Sequence, residues 1–97
     1  MSLSAKHIRH LRSLAHSLKP VVIIGGNGLT DNVINEIHQA LDTHELIKVK
    51  INADDKQDRQ TMIQRIVELT EAEFIQLIGH IGIFYRRHPK KPVIQFP

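Results

Sequence analysis

Val21-Val22-Ile23-Ile24-Gly25-Gly26-Asn27-Gly28-Leu29-Thr30-Asp31 runs from apolar β-branched residues through a glycine loop to a helix cap. The four β-branched residues suit a buried parallel strand. Glycines then let the chain take unusual backbone angles and bring its amides close to a ligand. Thr30 can cap the helix that follows, about Asp31 to Thr43, with Asp31 well placed in its first turn. Val33, Ile34, Ile37, Ala40 and Leu41 form the apolar face of that helix. From Leu46 to Ile51 the pattern alternates, with Ile47, Val49 and Ile51 on one side and Lys48 and Lys50 on the other. Strand, helix and strand in so short a span make a right-handed βαβ unit the default topology.

Outward from this unit, Ser4 to Leu18 reads as an amphipathic helix. Ile8, Leu11, Leu14, Ala15 and Leu18 share one face, and Arg9, Arg12, His16 and Lys19 form a stripe beside it. Ser4 is a candidate N-cap, and Pro20 disfavours helical geometry at Lys19. Downstream, Asn52-Ala53-Asp54-Asp55 is a turn whose acids can cap a third helix, about Lys56 to Leu69, with Met62, Ile63, Ile66, Val67 and Leu69 inward. Phe74 to Ile78 and Ile81 to Arg87 read as strands joined by Gly79-His80, a hairpin length. Val93 to Phe96 can add a short edge strand. The expected fold is α/β: a single compact domain over residues 1–97, a mixed four-stranded sheet packed with three helices.

Ninety-seven residues suffice for one core without staples. With no cysteine there is neither a disulfide framework nor a thiolate metal site, which suits a cytoplasmic protein. No apolar run reaches the roughly 18–20 residues of a membrane span, and the charged start lacks the apolar stretch of a secretory signal. The formal charge is only +3, but it is segregated. Residues 1–30 carry Lys6, Arg9, Arg12 and Lys19 and no acid, and residues 74–97 carry Arg86, Arg87, Lys90 and Lys91 and no acid. All ten acidic residues lie between Asp31 and Glu73. If the two basic ends meet in space, they concentrate positive potential on one side.

The glycine loop is the sharpest chemical feature. A strand delivers the chain to Gly25 and a helix N-terminus leaves after Gly28, an arrangement that favours an anion, phosphate above all. A tight strand-to-helix turn alone would also call for glycine. Nucleotide-enzyme motifs do not fit: no Gly-Lys-Ser/Thr follows, and neither glycine frame completes the dinucleotide fingerprint. The seven histidines form no His-Glu-x-x-His motif and read as surface or packed residues. There is no Gly-x-Ser-x-Gly elbow, and helix capping accounts for Asp54 and Asp55. Phe84 and Tyr85 are neighbours on a strand, so one is expected in the core and the other free to stack on a base beside Arg86 and Arg87. No catalytic residue, cofactor or metal is expected.

The stretch Leu11-Arg12-Ser13-Leu14-Ala15-His16-Ser17-Leu18-Lys19-Pro20-Val21-Val22-Ile23-Ile24-Gly25, followed by Gly28-Leu29-Thr30, closely resembles the signature of the CRM domain (chloroplast RNA splicing and ribosome maturation). His44-Glu45-Leu46-Ile47-Lys48-Val49-Lys50 is similar to a second block of that family. Ile78-Gly79 with Tyr85-Arg86 resembles a third. The likeness runs from Leu3 to Pro97 and is that of a stand-alone bacterial member of the YhbY type. It implies a fold similar to the C-terminal domain of translation initiation factor three. It also implies RNA binding through a Gly-x-x-Gly loop comparable to that of KH domains, which clamps the nucleic-acid backbone. Stand-alone bacterial members are associated with precursors of the large ribosomal subunit, and plant relatives assist intron splicing. Carried over by position, the RNA-binding set is Gly25, Gly26, Asn27, Gly28 and Thr30, with Arg9, Arg12, Lys19, Lys48, Lys50, Arg86 and Arg87 supplying charge. Two residues depart from the family pattern: Gly26 stands where the loop usually has lysine, and Glu71 where glycine usually follows the third helix.

The expectation is therefore a monomeric, non-catalytic RNA-binding protein, its partner ribosomal RNA in a large-subunit precursor, with no membrane and no small-molecule substrate. The competing expectation is a protein-interaction adaptor docking on a ribosomal protein or assembly factor through Val93 to Phe96 or an apolar face. A nucleotide-using enzyme is the third and weakest.

Overall fold

Each helix starts on a side-chain cap in the computed structural model, which describes residues 3–96. Ser4 Oγ accepts the N–H of His7 at the head of α1 (Ala5–Ala15), and Thr30 Oγ1 that of Val33 at the head of α2 (Asp31–His44). Asp55 Oδ1 accepts the N–H of Gln57 at the head of α3 (Lys56–Thr70). Each cap satisfies an amide the helix itself cannot. The strands are β1 (Pro20–Ile24), β2 (Leu46–Ile51), β3 (Glu73–Ile78) and β4 (Ile81–Tyr85), in the spatial order β1-β2-β4-β3. β1 runs parallel to β2, and the pairs β2/β4 and β4/β3 are antiparallel, so the sheet is mixed. Gly79 and His80 make the β3–β4 turn, with Gly79 at φ 60°, where glycine carries no Cβ penalty.

The pleat of β2 divides the core. Ile47, Val49 and Ile51 join Val22, Ile24 and Phe84 beneath α2 and α3, against Ile37, Leu41, Ile63 and Ile66. Leu46, Ile83 and Tyr85 face the other way and pack on Leu11 and Ala15 of α1, with Ile94 and Phe96 of the C-terminal segment alongside.

Several expectations give way here, for physical reasons. β1 is parallel, as read, but it is an edge strand. Val21 and Ile23 are 50% and 59% exposed because none of the described residues covers them on the α1 side. The first helix ends at Ala15, three residues before Leu18, and Leu14 and Leu18 are exposed. Only the Leu11/Ala15 line of that helix reaches a buried position. Leu69 also faces solvent, while Thr70 is buried and donates its hydroxyl to Ile66 O. Phe84 and Tyr85 do point to opposite faces, but both faces are covered at that end of the sheet, so neither ring is free to stack.

Val93 to Phe96 forms no strand. The segment is held by side chains instead. The buried carboxylate of Glu45 accepts the backbone N–H groups of His88, Val93 and Ile94, each at 2.7 Å. Phe96 lies against His7, His10 and Tyr85, and a ring nitrogen of His10 donates to Gln95 O. Burial alone would raise the pKa of Glu45, but these three N–H groups and the nearby His88 outweigh it and hold the carboxyl below its usual value.

Candidate nucleic-acid interface

α1 crosses only part of its sheet face, over β2, β3 and β4. The uncovered remainder forms a groove of about 620 Å³. Its helical wall is Arg9, Arg12 and Ser13 on one flank of α1, with His16, the residue that caps the end of that helix, beside them. Its sheet side is Lys48 of β2, Ile83 of β4, and Gln76 and Ile78 of β3. Among the described residues, no carboxylate lines it. The helix period and the strand register thus bring together three cations that lie up to 39 positions apart in the chain. Lys48 is fixed from behind, its Nζ donating to Leu18 O at 2.9 Å. Lys50, two residues along β2 and so on the same face, is exposed and lies between Ile23 of β1 and Ile81 of β4.

That track leads towards the glycine loop. Ile24, the last residue of β1, is in register with Ile51, the last of β2, and Ile24 O accepts the N–H of Asn52. Gly25 to Gly28 therefore leave the sheet at the far end of β2. Gly28 N donates to Gly25 O and Thr30 N to Gly28 O, which closes the turn. Gly28 sits at φ 71° with the Met62 methyl 3.8 Å from where a Cβ would be, so this position needs glycine for its backbone angle. Gly25 and Gly26 have neither constraint: their φ angles lie outside the left-handed region, and no atom of the described residues lies within 4 Å of where a Cβ would be. Their smallness leaves the backbone open to approach from solvent.

The remaining sequence candidates fall elsewhere. Lys19 lines a separate, largely apolar groove of about 440 Å³ with Leu14, Leu18, Val21, Leu46 and Ile94. Arg86 and Arg87 follow Tyr85, which pairs with Leu46 at the start of β2, so they lie at the opposite end of the sheet from the loop. Five residue steps of strand at about 3.3 Å separate the two ends. Arg86 and Arg87 consequently do not share the loop's end of the sheet. Arg86 is also committed internally, donating to Thr70 O, His38 O and Asp42 Oδ1 and contacting His38 Nδ1, which ties β4 to α2 and α3. This takes Arg86 out of the candidate set. Arg87 is exposed beside Glu71 and Glu73. Gln76, Ile78 and Ile83 were invisible as site residues, because placing them against α1 requires the β3–β4 register.

The fold and groove define a small α/β domain with a cationic cleft, lined by no acid among the described residues, beside a strand–glycine loop–helix junction. Residues 3–86 match the model of the CRS1 / YhbY (CRM) domain, and the chain belongs to that family. It is 51% identical over 85 residues to a Haemophilus influenzae protein named "RNA-binding protein", covering 88% of this chain and 86% of the relative. It is 33% identical to the Bacillus subtilis "Probable RNA-binding protein YqeI", covering 98% and 99%. Among solved structures, the hypothetical protein SAV1595 of Staphylococcus aureus superposes with a TM-score of 0.84 at 34% identity, covering 99% of this chain and all of that one.

Proposed function

We propose that this chain is a non-catalytic RNA-binding protein of large ribosomal subunit assembly, gripping the RNA backbone. The observation that carries the reading is the convergence of Arg9, Arg12 and Lys48 in one groove without an acid, continued by Lys50 towards the loop. Phosphates spaced along a strand would be neutralised in turn by these four cations. At the far end, Gly25 and Gly26 would let a phosphate reach main-chain amides beside the α2 N-terminus. The names of the relatives support RNA as the ligand. The ribosomal part of the proposal rests on the family likeness, and the proposed acting form is a cytoplasmic monomer. Gly26 removes the usual loop lysine, so the grip depends more on amides and on Lys48 and Lys50.

The test is binding to protein-free ribosomal RNA across a salt series, with sedimentation of cell extract on a density gradient alongside. Affinity should fall with a slope of roughly −0.7 to −0.9 per phosphate neutralised. Replacing Arg9, Arg12 and Lys48 together by Ala should flatten that slope in a folded protein. The protein should co-migrate with a particle smaller than the mature subunit. Unchanged binding by the triple variant sinks the groove reading, and protein found only at the top of a low-salt gradient sinks the assembly role.

One observation favours the adaptor reading as a second. Leu14, Leu18 and Val21 are exposed around the apolar groove at the open edge of β1. An adaptor using that surface would bind protein-free RNA weakly and with little salt dependence. Its other suggested hook, Val93 to Phe96 as an edge strand, does not exist in this fold.

A further inference from the structure

The cationic groove is not lined as a site for phosphate alone would be. Besides Arg9, Arg12 and Lys48, its lining includes Ile83 and Ile78 and the carboxamide-bearing Gln76. Ile78 is 56% exposed, which puts a large aliphatic side chain at the solvent face of a cleft walled by charge. Phosphate gains nothing from an exposed isoleucine, and a carboxamide adds little where three cations already stand. Gln76 does offer a donor and an acceptor together, the pairing that reads a base edge. His16 is the only ring among the described lining residues and adds a flat surface on the helical wall.

An occupant that suits all of these groups is anionic on one side and flat, apolar-faced and polar-edged on the other. That is a nucleotide whose base is not paired. In an uninterrupted A-form duplex the base faces are stacked away, and only backbone and groove edges are offered. We infer that the groove takes an unpaired nucleotide of the bound RNA, its phosphate on Arg9, Arg12 and Lys48, its base on Ile78 and its base edge on Gln76. This rests on the RNA-binding reading above and adds the class of RNA selected: single strands, bulges or loops in preference to plain duplex. Because the floor is aliphatic, the selection is for an exposed base face first and for base identity second.

The test uses the full chain and three labelled RNAs of about ten nucleotides: a single strand, the same strand with its bases removed, and the blunt duplex. Binding is read by fluorescence anisotropy over a salt series. The single strand should bind more tightly than the abasic strand by roughly two- to tenfold, the worth of a neutral hydrogen bond and a small apolar contact. It should likewise outbind the duplex. Ile78→Ser and Gln76→Ala should each shrink the preference for the base-bearing strand. Abasic affinity and the salt slope should stay unchanged, since neither substitution removes a phosphate contact. Ile78 is exposed, so folding is not at risk in that variant. Equal binding of base-bearing and abasic strands by the wild type overturns the inference while leaving the RNA-binding reading intact. A preference that survives both substitutions overturns it too, by placing the base elsewhere. Failure to bind any of the three at low salt removes the RNA-binding reading, and this inference with it.

Discussion

Glu45 Oε1 accepts the backbone N–H of Val93 at 2.7 Å, joining the end of α2 to a segment 48 residues later. The same oxygen accepts from Ile94, and Oε2 accepts from His88. Removing the acceptor leaves three donors to find water, at about 1–3 kcal/mol for each that stays buried. Since Glu45 pKa is lowered in the fold, its contribution is complete above its ordinary value of 4.5 and is lost as pH falls through the lower folded-state value. Glu45→Gln does not titrate there. Its deficit in thermal midpoint should be large and constant from pH 6 to 8 and should narrow below about pH 4.5. A deficit independent of pH would show that ionisation of Glu45 contributes nothing.

Tyr85 lies beside that carboxylate with its hydroxyl buried and, among the described residues, unpartnered. Burial pushes its phenol pKa up, and the charge of Glu45 pushes it further. A lone buried hydroxyl costs more than it returns, while the ring itself fills the core between α1 and Phe96. Tyr85→Phe should therefore be neutral or stabilising by about 1 kcal/mol in denaturant unfolding. A clear loss of stability would mean that an ordered water satisfies the hydroxyl.

Glu71 closes α3 at φ 59°, ψ 24°, in the left-handed region, and its N–H donates to Val67 O. This is the place where related chains are expected to carry glycine, and the geometry explains why. Glu71→Gly should stabilise the protein by roughly 1 kcal/mol, the strain of a Cβ there less the added freedom of the unfolded glycine. Equal or lower stability would show that the exposed glutamate makes a compensating contact.

A different glycine is required by packing. A Cβ on Gly82 would lie 2.9 Å from Cε2 of Phe84 and 3.5 Å from Cδ1 of Ile51, both fully buried. Neither can retreat without disturbing the core under α2 and α3. Gly82→Ala should cost about 1–3 kcal/mol by chemical denaturation, as overpacked cores do. A loss under about 0.5 kcal/mol would mean that the Phe84 ring can rotate away.

The helices, the parallel β1/β2 pair and the Gly79-His80 hairpin were legible because caps, alternation and turn residues are local signals. The chemistry was legible only in halves. Arg9, Arg12 and Lys48 are visible as charges, but what unites them is the crossing of α1 over the sheet, which depends on β3/β4 registers set by contacts across the core. The same gap misplaced Arg86. A basic residue after a strand looks like a ligand contact until His38, Asp42 and Thr70 are brought around it by tertiary packing. Val21 and Ile23 misled in the other direction, since a run of β-branched residues reads as buried whether or not a neighbour covers both faces.

Gly26 offers the most direct probe of the loop. Its backbone angle admits any side chain, and nothing lies within 4 Å of where a Cβ would stand, so a long side chain can extend into solvent without strain. Gly26→Lys restores the cation that the family pattern leads one to expect and places it where Lys50 and the α2 N-terminus would already hold a phosphate. If the loop grips RNA, this variant should bind more tightly at low salt, and its salt slope should steepen by about 0.7 to 0.9, the signature of one added phosphate contact. Gly26→Glu should weaken binding for the same reason, with no change in thermal midpoint in either variant. Affinity and slope that ignore both substitutions would place the RNA away from the loop and leave the α1–sheet groove as the whole of the binding surface.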